Sequence, residues 1–406
     1  MRILFLTDNF PPEVNAPASR TYEHALRWVR AGAEVTVITC APNFPRGRVY
    51  PGYRNRRSCE MMDGIEVIRV RTYMAPNAGF TKRVLDYLSF AWSSFWAGLG
   101  RDCDVIVATS PQFFTTWSGR TLSAFKRKPW VFELRDIWPE SIAAVGAGGS
   151  GAAIKLLERA ELRLYRNAAR VVAVSPAFRD NLARRGIDGD KIEIVTNGVD
   201  LSAWRPRATD AALRATLGLE GKFVIAYVGT FGMAHGLDFI LRAAAATSDP
   251  RIHFLFVGDG SEAEALKAQA AAGRGNVSFH PPVPRGEVAR FLAAADVALV
   301  PLKRQETFKS VIPSKIFEAA AMRRPVLLGV EGQAADIVEE HGAGLTFMPE
   351  DEASFLGAVA RISGDAALHR RLQTGCGRLA RAYDRDRLAA KMLTILEEVA
   401  VSAASR

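Results

Sequence analysis

The sequence predicts an α/β protein of two consecutive domains, each a parallel β-sheet covered by helices. Three observations predict it. Short β-branched apolar runs alternate with longer amphipathic stretches from end to end, the pattern of strand–helix–strand crossovers. The alternation restarts after TNGVDLSAWRP, Thr196–Pro206, where an Asn-Gly turn and a Pro place the hinge. The 406 residues, 49% of them hydrophobic, suffice for two cores of ordinary size.

The first strand, Arg2–Thr7, carries the apolar run Ile3 to Leu6. A basic residue before an apolar run resembles a leader peptide, but the run is short and Asp8 ends it, so a buried strand is expected. Further strands are expected at Glu34–Cys40, Ile65–Arg71, Asp104–Ser110, Trp130–Leu134, Arg170–Ser175 and Lys191–Val195. The second half repeats them at Phe223–Gly229, His253–Gly258, Val277–His280, Val297–Pro301, Pro325–Val330 and Leu345–Met348. Glu262–Ala272 and Glu287–Ala295 are amphipathic, and so is the last segment, Arg387–Val399, expected to return to the first domain. Phe80–Leu99 carries Val84, Leu88, Trp92, Phe95, Trp96 and Leu99 at helical spacing, after a loop holding Arg46, Arg48, Arg54, Arg56 and Arg57. Such a helix either packs into the core or lies on an anionic membrane surface.

The net charge of +10 favours polyanionic partners: nucleotide phosphates, an anionic membrane or nucleic acid. No zinc-finger, RNA-recognition or homeodomain pattern supports nucleic acid. No stretch reaches the roughly 18–20 apolar residues of a membrane span. Four cysteines without CxxC spacing fit a reducing cytoplasm.

In parallel sheets, ligands bind at the carboxyl ends of strands. After the first strand, DNFPPEVNAPASRTYEHA supplies Asp8, Asn9, the Pro pair and the small residues Ala16, Ala18 and Ser19 as a loop entering a helix, a place for an anion or an ordinary connection. After the fifth strand, Glu133-Leu-Arg-Asp-Ile-Trp-Pro-Glu-Ser141 concentrates Arg135 and Asp136 with two further acids. Buried charges without use are costly, so this is a candidate site, against a structural ion pair. In the second half, VGTFGMAHG supplies Gly229, Thr230, Gly232 and His235, and FVGDG supplies Gly258 and Asp259. Glycines there admit a close ligand. The strongest segment is KSVIPSKIFE. Pro313 fits a first helical turn and Ser310 to Ser314 leave backbone donors free. Lys315 opposes the helix dipole unless an anion sits there, and Glu318 lies three residues on, on nearly the same face. A cation and a carboxylate suit a nucleoside diphosphate. The diphosphate is expected on Lys315 and the N–H groups of Val311 and Ile312, and the ribose on Glu318. A surface ion pair is the alternative. The DxD shapes Asp102-Cys-Asp104 and Asp188-Gly-Asp190 precede a buried strand and sit in a turn, and the six histidines lack ligand spacing.

On FPPEVNAPASR, RDIWPES, AVSPAFRDNL, TNGVD, VGTFGMAHGLD and IPSKIFEAAAMRRPVLLGV, the chain resembles family 4 of the retaining glycosyltransferases. The nearest resemblance is to the branch of bacterial surface-polysaccharide synthesis that includes the WbuB-like fucosamine transferases. The resemblance implies the GT-B fold, two Rossmann-like domains facing across a cleft. It implies an acceptor domain at residues 1–199, with the helix 385–404 packed back on it, and a nucleotide-sugar domain at 207–383. It implies transfer of a UDP-linked HexNAc or deoxy-HexNAc to an undecaprenyl-diphosphate saccharide at the cytoplasmic face of the inner membrane, with retention by front-face attack. No cofactor, essential metal or nucleic acid is expected.

The implied catalytic residues are Arg135, Asp136 and Glu318. The implied donor contacts add Asn15, Ala16, Gly229, Thr230, Gly232, His235, Gly258, Asp259, Val283, Arg304, Ser310, Val311, Ile312 and Lys315. The chain departs from the family pattern at three places. Ser310 stands where the first Glu of E-x7-E is expected, with Glu306 nearby at another spacing. His235 stands near a phosphate-gripping Lys. Arg135-Asp136 replaces a common His-Asp. Two alternatives remain: a GT-B-fold nucleotide-sugar epimerase, and a non-catalytic nucleotide-sugar-binding partner in polysaccharide assembly.

Overall fold

The computed structural model describes residues 1–13, 15–44, 47–74, 80–110, 113–137 and 151–404. It divides into two compact units, Met1–Asn197 with Arg385–Arg406, and Gly198–Asp384.

The first unit is built on eight strands: β1 Arg2–Leu6, β2 Glu34–Cys40, β3 Ser58–Met62, β4 Ile65–Val70, β5 Val105–Thr109, β6 Trp130–Leu134, β7 Arg170–Ala173 and β8 Ile192–Ile194. Their order is β3-β4-β2-β1-β5-β6-β7-β8. All neighbours are parallel except β3 and β4. Strands β1, β5 and β6 are almost wholly buried, as unbroken apolar runs require when helices cover both faces. Every expected strand of this half is present. The edge strand β3 was not expected: SCEMM lacks apolar alternation and is largely exposed. It is made by a tight turn at Asp63-Gly64, both at positive φ.

Helices Phe80–Leu99, Phe113–Lys126 and Gly151–Asn167 share one core with Leu6, Ile38, Ile106 and Phe132. Helix Ala16–Arg30 packs on the opposite face. The last helix, Arg385–Ala404, joins it there, burying Leu388, Met392 and Leu396 against Phe5, Trp28 and Val37. Trp28 Nε1 donates to the Ala389 carbonyl at 2.9 Å, and Arg385 lies 3.3 Å from Glu23. Helix Phe80–Leu99 has two faces. Phe90 and Ala97 are buried, while Leu88, Trp92 and Trp96 stand 44, 66 and 56% exposed. Complete burial of its apolar spacing is therefore corrected. Arg48, Arg54, Arg56 and Arg57 are exposed; Arg46 lies outside the described residues.

The second unit holds β9 Phe223–Val228, β10 Ile252–Val257, β11 Val277–His280, β12 Val297–Pro301, β13 Val326–Gly329 and β14 Gly344–Thr346. All six are parallel, in the order β11-β10-β9-β12-β13-β14. This is the doubly wound order with its topological switch between β9 and β12. All six strands match the sequence expectation to within two residues at each end.

Candidate functional site in the second unit and the polar floor of the first

At the β9–β12 switch, three loops are laced together by their backbones. Gly229 N–H donates to Val257 O at 2.9 Å, Phe231 N–H to Asp259 O at 2.8 Å and Lys303 N–H to Ala234 O at 2.9 Å. The glycines serve this lacing. Gly258 has φ +148, and a Cβ there would meet the Gly229 carbonyl at 1.9 Å. Gly229 has φ +147, and its Cβ would lie 2.4 Å from Lys315 Nζ. Gly229 and Gly258 were expected to make room for a ligand; what they admit here is a neighbouring loop and a lysine.

Lys315 opens a short helix, Lys315–Ala321, whose Ile316, Phe317 and Ala319 are buried. That anchoring carries the lysine stem inward. Its Nζ is buried without a hydrogen-bond partner among the described residues and sits 3.8 Å from the Tyr227 ring centroid. Burial lowers its pKa to about 7, with the Glu318 charge acting in the opposite sense. The surface ion pair expected as the alternative is therefore not what this lysine makes. Glu318 and Lys315 line one small cavity with Val228, Val288 and Val300, so the two residues are brought together as the spacing implied.

The backbone ahead of the helix departs from expectation. Glu306–Ser310 is a 3-10 turn, and the Val311 N–H donates to Phe308 O at 3.1 Å. That donor is already used. Ser310 Oγ donates to Thr307 O at 3.1 Å, and Glu306 pairs with Lys309 at 2.7 Å. Pro313 precedes the cap residue Ser314 rather than sitting in the first turn. Ile312 is half-buried.

His235 ends the turn Met233–His235, with its ring 5.8 Å from Tyr227. Burial first, then Lys315, lowers it to about 4. Two basic groups thus flank Tyr227, both with charge suppressed by burial. Thr230 is exposed, and its carbonyl accepts from Tyr227 Oη at 2.6 Å. Gly232 begins the same turn, Asp259 is exposed and Val283 half-buried. Arg304 stands apart from Lys315: its N–H donates to Glu350 at 3.0 Å and its side chain is 63% exposed.

In the first unit, Asn15 caps helix Ala16–Arg30, accepting from Ala18 N–H at 2.9 Å and donating to Asn9 at 2.6 Å. At the β6 end, Ser110 Oγ accepts from the N–H groups of Arg135 and Asp136 at 2.8 and 3.1 Å. Arg135 donates to Pro17 O at 3.3 Å, and burial lowers its pKa to about 10 against the pull of Glu133. Glu133 itself is bound by Arg20 at 2.9 Å, both side chains almost excluded from water. Arg20 also donates to the carbonyls of Thr196 and Val195 at 2.6 and 2.9 Å. One acid of the cluster is therefore structural, paired to an arginine remote in sequence. Trp138, Pro139, Glu140 and Ser141 lie outside the described residues, as does Val14 of the FPPEVNAPASR segment. Of the DxD carboxylates, Asp104 accepts from Arg2 N–H at 2.7 Å and Asp188 from Asp190 N–H at 3.0 Å.

Sequence models place a glycosyl transferase 4-like domain at residues 15–198 and a glycosyl transferases group 1 domain at 222–365. The two matches together span about four-fifths of the chain. It belongs to family 4 of the GT-B glycosyltransferases. This glycosyltransferase is 27% identical over 334 residues to WcaI of Escherichia coli K12, named for colanic acid biosynthesis, covering 79% of this chain and 81% of that one. Its fold is that of sucrose-phosphate synthase from Thermosynechococcus elongatus, with a TM-score of 0.78, 18% identity and 99% of each chain covered. It is also that of Anabaena HepE in complex with UDP, with a TM-score of 0.72, 18% identity and 98% and 100% covered.

Tyr227 and Asp86 of the glycosyltransferase escaped the sequence reading, which named Asp8 only as part of a loop. Tyr227 lies in an apolar strand run that gives no sign of a site. Asp8 and Asp86 are raised by burial to about 6 and about 7, the latter also by the Asp8 charge. Burial thus holds both carboxyls of the first unit above the ordinary carboxylate range.

Proposed function

We propose that this glycosyltransferase moves a sugar from a UDP-linked donor, of HexNAc or deoxy-HexNAc type, to a lipid-linked saccharide in surface-polysaccharide synthesis. The anomeric configuration is retained, and no essential metal takes part. One observation carries the donor reading: a buried lysine without a hydrogen-bond partner among the described residues, beside Glu318, at the switch point of a doubly wound sheet. A desolvated ammonium is costly, and an anion that reaches it offsets that cost. The diphosphate is placed on Lys315 and the ribose on Glu318, with the loop Gly229–His235 alongside. Arg135 and Asp136 serve turnover from the first unit, which takes the acceptor. The UDP complex of HepE, on the same fold, and the name of WcaI support the nucleotide and the pathway class.

The enzyme works at the cytoplasmic membrane surface in this reading, since its acceptor is anchored there. Among the described residues, no helix is long and apolar enough to cross a membrane. The deciding experiment is a screen of nucleotide-sugar donors with undecaprenyl-diphosphate saccharide acceptors, the product linkage read by NMR. Donor consumption without a lipid-linked product would favour an epimerase instead. UDP binding with no turnover of any donor would favour a non-catalytic binding partner.

A further inference from the structure

Helices Phe80–Leu99, Phe113–Lys126 and Gly151–Asn167 cover one side of the first sheet, and their outer surfaces are unlike those of an ordinary solvated face. Trp92, Trp96 and Phe125 are 66, 56 and 71% exposed. The rings touch in a row: Trp92 to Trp96 at 5.7 Å, Trp96 to Phe95 at 5.5 Å and Phe95 to Phe125 at 5.5 Å. Trp117 and Leu88 extend this ridge, each more than two-fifths exposed. Leaving four or five large apolar groups in contact with water is unfavourable unless something covers them.

Beside the ridge runs a row of cations. Lys155, Arg159, Arg163 and Arg166 fall at i, i+4, i+8 and i+11 of helix Gly151–Asn167, on one face, and all are exposed. The acids of that helix do not neutralise them. Glu158 and Glu161 are held by Arg185 at 3.3 and 2.8 Å. None of the four cations, nor Arg120, pairs with a described carboxylate. Arg120, Arg163 and Arg166 converge with Trp117 on a groove of about 670 Å³ between the second and third helices.

An apolar ridge with a basic margin matches the interface of an anionic bilayer, where aromatic rings sit at headgroup depth and arginines reach phosphates. We propose that this face lies on an anionic phospholipid membrane, with the Trp92–Trp96–Phe125 ridge inserted and the Arg120–Arg163–Arg166 groove holding a lipid phosphate. The proposal rests on the reading that the acceptor is membrane-anchored, and it names the surface and the headgroup chemistry that serve it.

The test is co-sedimentation of the full chain with vesicles of phosphatidylcholine alone, or with roughly a quarter phosphatidylglycerol. The variants are W92S/W96S and R163E/R166E. Circular dichroism and UDP calorimetry on the same preparations serve as folding controls. The wild type should bind the anionic vesicles selectively, and salt should weaken that binding. R163E/R166E should lose at least about tenfold of this partition. W92S/W96S should lose retention on the anionic vesicles as well. Millimolar inorganic phosphate should not displace the protein. Variants that bind like the wild type would overturn the face while leaving a membrane-anchored acceptor standing. A wild type that binds neither vesicle would overturn this proposal and count against the acceptor reading too. Displacement by inorganic phosphate would make the groove a site for soluble anions, and a dimer lost in W92S/W96S would make the ridge a subunit contact. Vesicle binding as expected, without lipid-linked product in the donor screen, would leave this proposal standing and remove the function reading.

Discussion

Lys315 reaches the face of Tyr227, its ammonium nitrogen 3.8 Å from the ring centroid and without a hydrogen-bond partner among the described residues. The lysine is buried by the helix that carries it and by the loops after β9, so its charge depends on what else enters the site. Tyr227, His235 and Glu318 are the titratable groups around it, one from each of three elements.

On the proposed placement of the diphosphate at Lys315, donor binding should be proton-linked. Burial lowers Lys315 to about 7 in the empty site, and a diphosphate beside it favours the charged form. UDP affinity should therefore be highest below pH 7 and should fall as pH rises above it. Calorimetry in buffers of different ionisation enthalpy should show proton uptake at pH 8, absent in Lys315→Met and absent for uridine. For the unliganded protein the sign is opposite. The unfolded lysine titrates at its ordinary value, so between about pH 7 and that value the unfolded state binds the extra proton. This group's contribution to stability therefore rises with pH across that window. A wild-type melting curve that gained nothing over Lys315→Met between pH 7 and 9 would contradict the burial argument.

Phosphate and ribose contacts separate by ligand. Lys315→Ala should weaken UDP roughly tenfold to a hundredfold, as loss of a charge-assisted contact does, and leave uridine nearly unchanged. Glu318→Gln should weaken both ligands, since both carry the ribose. Equal loss of UDP and uridine in Lys315→Ala would move the phosphates elsewhere in the loop Gly229–His235.

Arg20 and Arg135 stand close to the same acid but should answer mutation differently. Removing Arg20 leaves Glu133 buried without its partner and the Val195 and Thr196 carbonyls without a donor. Arg20→Ala should cost about 3–5 kcal/mol of stability, read by denaturant unfolding. Arg135→Ala loses one long hydrogen bond to Pro17 and the attraction of Glu133, which keeps its bond to Arg20, and should lower kcat more than it lowers the melting temperature. A variant at Arg135 that unfolds, or that turns over normally, would return Arg135 to a structural role.

Gly258→Ala probes the lacing of the loops. The added methyl would meet the Gly229 carbonyl at 1.9 Å in a backbone conformation that favours glycine. The second unit should lose at least about 1–3 kcal/mol, and UDP binding should fall with it because the clash displaces the backbone against Lys315. Unchanged melting and unchanged UDP affinity would show that the two loops can part.

Both domains were legible in the sequence because a strand covered on both faces must be an unbroken apolar run, and such runs are short, frequent and bounded by charge. The edge strand Ser58–Met62 was illegible by that signal, since it is half in solvent; its Asp63-Gly64 turn was the readable clue. That Lys315 and Glu318 line one small cavity was legible too, because three residues along a helix return to nearly the same side.

What the sequence by itself determined is therefore local: which segments are strands, where the chain changes domain, and which polar residues follow strand ends. The tertiary structure decided the rest. It turned Lys315 inward onto Tyr227, joined Arg20 to Glu133 across 113 residues, used the Val311 N–H on Phe308, and left Trp92 and Trp96 outside while burying Phe90. The physical reason is that burial and pairing depend on what packs from other segments, and neither helical spacing nor residue type carries that information.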